Sequence, residues 1–240
     1  MDNLVVDIGN TSSKVGIFNL HNLVEEKVFT DHNALHEYIS NVRVRAAIIA
    51  SVSKTYDTIL PALAHIPTTL TLTHQLPLPV TNLYATPETL GVDRLAGVCG
   101  AMQMFVGQPC LVIDSGTCIT YDFINEKAEY LGGAISPGLH MRLRAMHEFT
   151  ARLPKVLIEE DIPLIGNSTQ TCMQSGAFNG MLAEIEGTIE RYKQHYPQLR
   201  VILCGGDTHF FENNLKGTIF AVQNLVLRGL ISILLHNVSQ

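Results

Sequence analysis

Residues 4–18 read LVVDIGNTSSKVGIF, and residues 111–117 read LVIDSGT. Each is an apolar run that reaches a carboxylate, Asp7 or Asp114, and passes at once into glycine and hydroxyl residues. Each then leads into a second apolar stretch, Val15–Phe18 or Ile119–Phe123. Strand, polar turn and strand at this spacing predict a hairpin rather than a strand feeding a helix. Two hairpins of such similar wording, 107 positions apart in a chain of 240, predict two related halves rather than a short-period solenoid.

The turn residues carry chemistry of their own. Gly9 lets backbone approach a ligand with no Cβ in the way, and successive N–H groups in such a turn can point at one anion. With Ile8 inside the turn segment, Asn10, Thr11, Ser12 and Ser13 add neutral donors and Lys14 a point charge. Asp7 would repel phosphate unless a divalent cation or its water lay between them. Taken alone, the stretch is either an ordinary polar hairpin or a phosphate cradle. It is neither a Walker loop nor a dinucleotide fingerprint, because G-x-x-x-x-G-K-[ST] and G-x-G-x-x-G are both missing. The repeat at Asp114-Ser115-Gly116-Thr117 favours the cradle, since two related halves would bring two turns to one polyphosphate across a cleft.

A third cluster is Gly91-Val92-Asp93-Arg94. Residues 93–105 have helical spacing, with Leu95, Val98, Met102 and Phe105 on one face. Asp93 then lies in a first turn, where the macrodipole favours a carboxylate. Arg94 beside it can grip a substrate carboxylate with both guanidinium nitrogens. The pair suits a small acidic alcohol, with Arg94 holding the carboxylate and Asp93 accepting the hydroxyl proton.

Bulk properties narrow the classes. Apolar residues make up 46% and charged residues 16%, enough for a sizeable core and against disorder. A net charge of -6 and no run of Lys or Arg argue against nucleic acid as a partner. No secretory leader and no apolar stretch near membrane-spanning length are visible, so a cytoplasmic protein without membrane contact is expected. Cys99, Cys110, Cys118, Cys172 and Cys204 are scattered, odd in number and never C-x-x-C, which predicts reduced thiols serving as small core residues.

Further strands are expected at Arg45–Ser51 and Val201–Cys204, the latter running into Gly205-Gly206-Asp207. Helices are expected over 33–40 with Asn33 as cap, 136–151, 169–195 and 221–236, and Thr86-Pro87-Glu88 could open another. No linker-like tract separates the halves, so a packed hinge near 108 is expected between domains 1–108 and 109–240.

The ordered set Asp7-x-Gly9-Asn10-Thr11-x-x-Lys14, Gly91-x-Asp93-Arg94, Asp114-x-Gly116-Thr117, Gly132 to Gly138 (GGAISPG), Thr150-Ala151-x-Leu153-Pro154 and Ser175-Gly176 resembles type III pantothenate kinase. The resemblance implies an α/β fold of the acetate and sugar kinase, Hsp70 and actin superfamily: two ribonuclease-H-like domains with mixed sheets flanked by helices and a nucleotide cleft between them. It implies that residues 7–14 and Thr117 bind ATP, with Asp7 toward Mg2+. It makes Asp93 the proton acceptor, and Tyr84, Gly91, Val92, Asp93, Arg94 and Thr169 the pantothenate contacts. Asp114 would be a ligand of the monovalent cation, K+ or NH4+, that the family needs. A homodimer is implied, with Thr169 reaching the neighbouring subunit's site.

Two departures stand out. Gly166-Asn167-Ser168-Thr169 has Ser168 where relatives carry asparagine, and Cys204 replaces the threonine that usually opens the glycine-rich turn. Rival readings are another small-molecule kinase of the superfamily, and a nucleotide-binding regulator without turnover.

Overall fold

The computed structural model describes residues 2–9, 11–51 and 56–238. It divides into two compact units, Met1–Gly107 with Lys127–Leu131 and Asn224–Gln240, and Gln108–Glu126 with Gly132–Gln223.

The first unit is built on a five-stranded mixed sheet. Strands β1 (Asn3–Ile8), β2 (Ser13–Asn19), β3 (Asn22–Phe29), β4 (Ala46–Ser51) and β5 (Thr68–Thr71) lie in the order β3-β2-β1-β4-β5. The pairs β1–β2 and β2–β3 are antiparallel, whereas β1–β4 and β4–β5 are parallel. Alternation along β1 sends Leu4, Val6 and Ile8 into one core with Leu35 and Ile39 of helix α1 (His32–Asn41). Asp31, not Asn33, caps α1, its carboxylate accepting from the amides of Asn33 and Ala34. Asn33 already has its amide inside the first turn, so it cannot be the cap.

After the short helix α2 (Tyr56–Ile59), strand β6 (Thr81–Asn82) and a 3-10 turn at Pro87–Thr89 come two long helices, α3 (Val92–Met104) and α7 (Leu225–Val238). Thr86 makes no side-chain cap, so the expected helix there is only that turn. Helices α3 and α7 pack together, and α7 also covers β1 and β4. They approach closely because glycines face each other. A Cβ on Gly229 would lie 1.7 Å from the carbonyl oxygen of Ala96, and one on Gly100 would lie 2.5 Å from that of Leu225. Gly229→Ala should therefore push the helices apart and cost about 1–3 kcal/mol, several degrees of Tm. An unchanged thermal melt would show that the crossing has slack.

The second unit repeats the plan. Strands β7 (Cys110–Ser115), β8 (Cys118–Ile124), β9 (Glu129–Pro137), β10 (Arg200–Cys204) and β11 (Phe220–Ala221) run in the order β11-β10-β7-β8-β9, and β6 extends this sheet by pairing in parallel with Glu129 and Tyr130 of β9. Again the hairpin β7–β8 is antiparallel and the neighbours β7–β10 and β10–β11 are parallel. Leaving β6 aside, the order matches that of the first sheet, so the duplication read from the two hairpins is present in the fold. Its core joins Leu111, Ile113, Tyr121, Val201 and Leu203 to helices α4 (Leu139–Glu148) and α5 (Thr169–His195) and to Phe211 of the short helix α6 (Thr208–Phe211). Along α5 the residues Met173, Ala177, Met181, Ile185 and Ile189 are buried every fourth position.

Two helix starts differ from expectation. Residues 136 and 137 belong to β9, and α4 begins only at Leu139, because the strand continues through Pro137 before Gly138 turns the chain. Residues 220 and 221 pair with β10 as β11, so α7 starts at Leu225. Helix α4 ends where Thr150 Oγ1 donates to Met146 O (2.7 Å) and accepts from the Leu153 amide, which makes Thr150-Ala151-x-Leu153-Pro154 a stop signal. Cys99, Cys110 and Cys204 are buried as expected, but Cys118 is half-buried just after its turn and Cys172 is exposed on the first turns of α5. No helix among the described residues is long and apolar enough to cross a membrane.

Candidate active site

Asp7 sits opposite Lys14 in the β1–β2 ladder, and Ile8 sits opposite Ser13. The turn closes through the Gly9 amide, which donates to Ser12 O at 3.1 Å. A Cβ on Gly9 would lie 3.1 Å from that same oxygen, so glycine keeps the turn tight. Thr11 is exposed, while Asp7, Gly9, Ser12 and Lys14 are half-buried. The Ile8 side chain is in the core and Ser13 is 2% exposed, so these two can offer a ligand only their backbone. Asn10 lies outside the described residues.

The second turn has the same form with more support around it. Asp114 pairs with Thr120 across the hairpin and with Cys204 on the parallel side. The Gly116 amide donates to Cys118 O (3.0 Å), Thr117 is exposed, and the Gly138 amide donates to Thr117 O (3.2 Å). Gly205 has φ +96, and a Cβ there would fall 2.2 Å from Ser115 O and 2.4 Å from Asp114 Oδ1. Only glycine fits at that place. The next residues wrap the turn further, with the Asp207 amide donating to Ser115 O at 3.0 Å.

Sequence reading named Ser115 and Asp207 within their turns but gave them no role of their own. The Asp207 residue is 8% exposed, and its Oδ1 lies 3.7 Å from His140 Nε2. Burial pushes its carboxyl up from the usual range, and the nearby His140 and His209 pull the other way. Asp207 Oδ2 and Ser115 Oγ are buried without a hydrogen-bond partner. Gly116 after strand β7 and the pair Gly205-Gly206 after β10 were the available signal; that Asp207 folds back onto Ser115 was not readable from spacing.

In the first unit the end of α3 gathers the substrate-type residues. Gly91 caps the helix, Val92 is its first residue and Asp93 its second. Asp93 Oδ1 accepts from the Arg94 amide at 2.9 Å, and a Cβ on Gly91 would fall 2.5 Å from that oxygen. The Arg94 guanidinium lies over the Tyr84 ring, 5.8 Å from its centroid, and Tyr84 stacks on Tyr130 at 6.1 Å. Thus Tyr84, Gly91, Val92, Asp93 and Arg94 form one half-buried group. Tyr130 is its unforeseen base.

Thr169 is the exposed first residue of α5. Ser168 before it makes a capping box, accepting from the Thr171 amide while Thr171 Oγ1 accepts from the Ser168 amide at 3.0 Å. Serine in place of asparagine therefore still holds the helix start.

Among the described residues no three His, Cys, Asp or Glu side chains converge on a metal position. A single carboxylate such as Asp7 fits Mg2+, which is commonly held by one or two carboxylates plus phosphates and water. Asp114 offers carboxylate oxygen, a donor that suits a hard cation better than a soft metal.

The family model described as type III pantothenate kinase matches residues 3–191. A type III pantothenate kinase of Bacteroides fragilis is 46% identical over 240 residues, covering 98% of each chain. Among solved structures, a protein described as a Baf family transcriptional activator from Campylobacter jejuni superposes with TM-score 0.65 at 19% identity, covering 99% of this chain and 100% of that one. A glucokinase from an Antarctic psychrotroph gives 0.55 at 12% identity, with 98% and 99% covered. At those identities the two structures speak for the fold alone.

Proposed function

The chain belongs to the type III pantothenate kinase family, and on that premise we propose that it transfers the γ-phosphoryl group of ATP to the primary hydroxyl of pantothenate. The products are 4′-phosphopantothenate and ADP, at the first step of coenzyme A biosynthesis. The observation that carries this reading is the end of α3, where an acid, a cation and an aromatic ring meet at one helix N-terminus.

Arg94 takes the pantothenate carboxylate, and its position over Tyr84 restricts the rotamers it must give up on binding. Asp93 is oriented by the Arg94 amide and favoured as an anion by the helix dipole. The hydroxyl oxygen attacks the γ-phosphorus as its proton passes to Asp93, and the bond to the β,γ-bridging oxygen breaks with its electron pair leaving on ADP. The hairpin of residues 7–14 and Thr117 hold the phosphates. Catalysis here is mainly positioning and charge neutralisation. Mg2+ on the Asp7 side and K+ or NH4+ at Asp114 would neutralise phosphate charge.

The protein acts as a homodimer in the cytoplasm, and neither nucleic acid nor membrane is its partner. A second copy is supported by Phe149, Leu157, Leu164 and Ile165, which are 85, 70, 77 and 83% exposed. These residues are held rather than loose. Gln174 Nε2 donates to Leu157 O (2.8 Å) and Ser175 Oγ to Leu164 O (2.7 Å). An ordered apolar surface of this kind marks an interface, and it adjoins Thr169 in sequence.

Incubation with ATP and Mg2+ should release ADP only when pantothenate is added, and faster with potassium. No pantothenate-dependent release in either condition would overturn the reading, and release with a sugar or acetate instead would move the chain to another kinase activity.

A further inference from the structure

Arg142 and Glu184, which belong to no motif, anchor a network beside the second turn. Glu184, in the middle of α5, accepts at Oε1 from the Tyr121 hydroxyl (3.0 Å) on β8. Its Oε2 accepts from Ser136 Oγ (3.3 Å) and pairs with the guanidinium of Arg142 on α4. Arg142 in turn donates through Nε to Pro137 O (2.8 Å) and through Nη2 to Ser136 Oγ (3.2 Å). The Arg142 and Glu184 side chains are 20% and 29% exposed, so water screens the pair only in part.

What the network grips decides its role. An ion pair that only glued helices together would end on side chains. This one also reaches backbone, at Pro137 O, and holds the Ser136 hydroxyl, directly before Gly138. Gly138 is the residue whose amide bonds Thr117 O, and a Cβ on it would lie 2.1 Å from Gly116 O. The last residues of β9 are therefore a pad pressed against the Asp114–Thr117 turn, and Arg142 with Glu184 fix where the pad stands. Removing Glu184 would leave the Arg142 charge without its carboxylate and take one of the Tyr121 hydroxyl's partners.

We propose that Arg142 and Glu184 are positioning residues for the nucleotide, setting the Asp114–Thr117 turn through Ser136, Pro137 and Gly138. The role rests on the reading that this turn meets ATP. It predicts a selective defect, because Tyr84, Asp93 and Arg94 are attached to a different unit.

The test uses Glu184→Gln and Arg142→Lys in the full chain, with thermal melts to confirm folding. Both should raise the KM for ATP and the Kd for ADP measured by calorimetry about tenfold, while the KM for pantothenate stays within about twofold of wild type. Ser136→Ala, which leaves the ion pair in place, should move the same two constants in the same direction and serves if the charge variants fail to fold. ADP affinity unchanged in the folded variants would overturn the proposal. So would an equal loss for ADP and pantothenate, which marks general loosening. Wild type that binds ADP without pantothenate-dependent turnover would sink the functional reading alone, and the ADP arm would still decide the positioning role.

Discussion

Asp93→Asn should lose about 10²–10⁴-fold in kcat, the usual contribution of a placed general base, while ATP still binds with near wild-type affinity. Asparagine keeps the shape and an oxygen at Oδ1, so it can still accept from the Arg94 amide now held at 2.9 Å. The start of α3 should therefore survive. The lost charge at the helix N-terminus costs only about 0.3–1 kcal/mol of stability. What asparagine cannot do is take a proton from an attacking hydroxyl. A fall in kcat with ATP affinity and melting temperature nearly intact thus isolates proton transfer from binding and folding. Near wild-type kcat would show that the base lies elsewhere.

How far such a site can be seen without coordinates depends on whether its parts are local. The hairpins at Asp7 and Asp114 were legible because period-2 alternation and turn residues sit in one short stretch, and their similarity announced the two matching sheets. The helix at Thr169–His195 was legible because its buried face repeats for many turns. Boundaries failed where two signals overlapped. Ser136 and Pro137 look like a helix entry but extend β9, since the partner strand decides and not local propensity. Contacts between distant segments were not legible at all. Nothing in the spacing shows that α7, from the end of the chain, packs on α3 through Gly229 and Gly100, or that Asp207 folds onto Ser115. Tyr130 beneath Tyr84 and Glu184 beneath Arg142 belong to the same kind. In the site, the residues named from local chemistry, Asp93 and Arg94, were found with their partners, but the partners came from strands and helices far along the chain.

Mixing Asp93→Asn and Thr169→Ala subunits should raise activity above that of either variant alone. The expectation starts from the placement of Thr169, which the Ser168 capping box holds at the exposed start of α5. A hydroxyl held in place, beside Leu164 and Ile165 at 77 and 83% exposure, is suited to reach across an interface that buries those side chains. If it serves the neighbour's site, a heterodimer has one site lacking both groups and one site with Asp93 from one chain and Thr169 from the other. Random exchange makes about half the dimers mixed, so activity should return to roughly a quarter of wild type, set by the closed two-fold symmetry of such a pair. Thr169→Ala alone should lose about tenfold, the scale of one hydrogen bond to substrate, so the recovery stands above the parental background. Subunit exchange is followed with two differently tagged chains. Proven exchange with activity no higher than the mean of the two parents would mean that each chain completes its own site, and Thr169 would then act, if at all, within its own subunit.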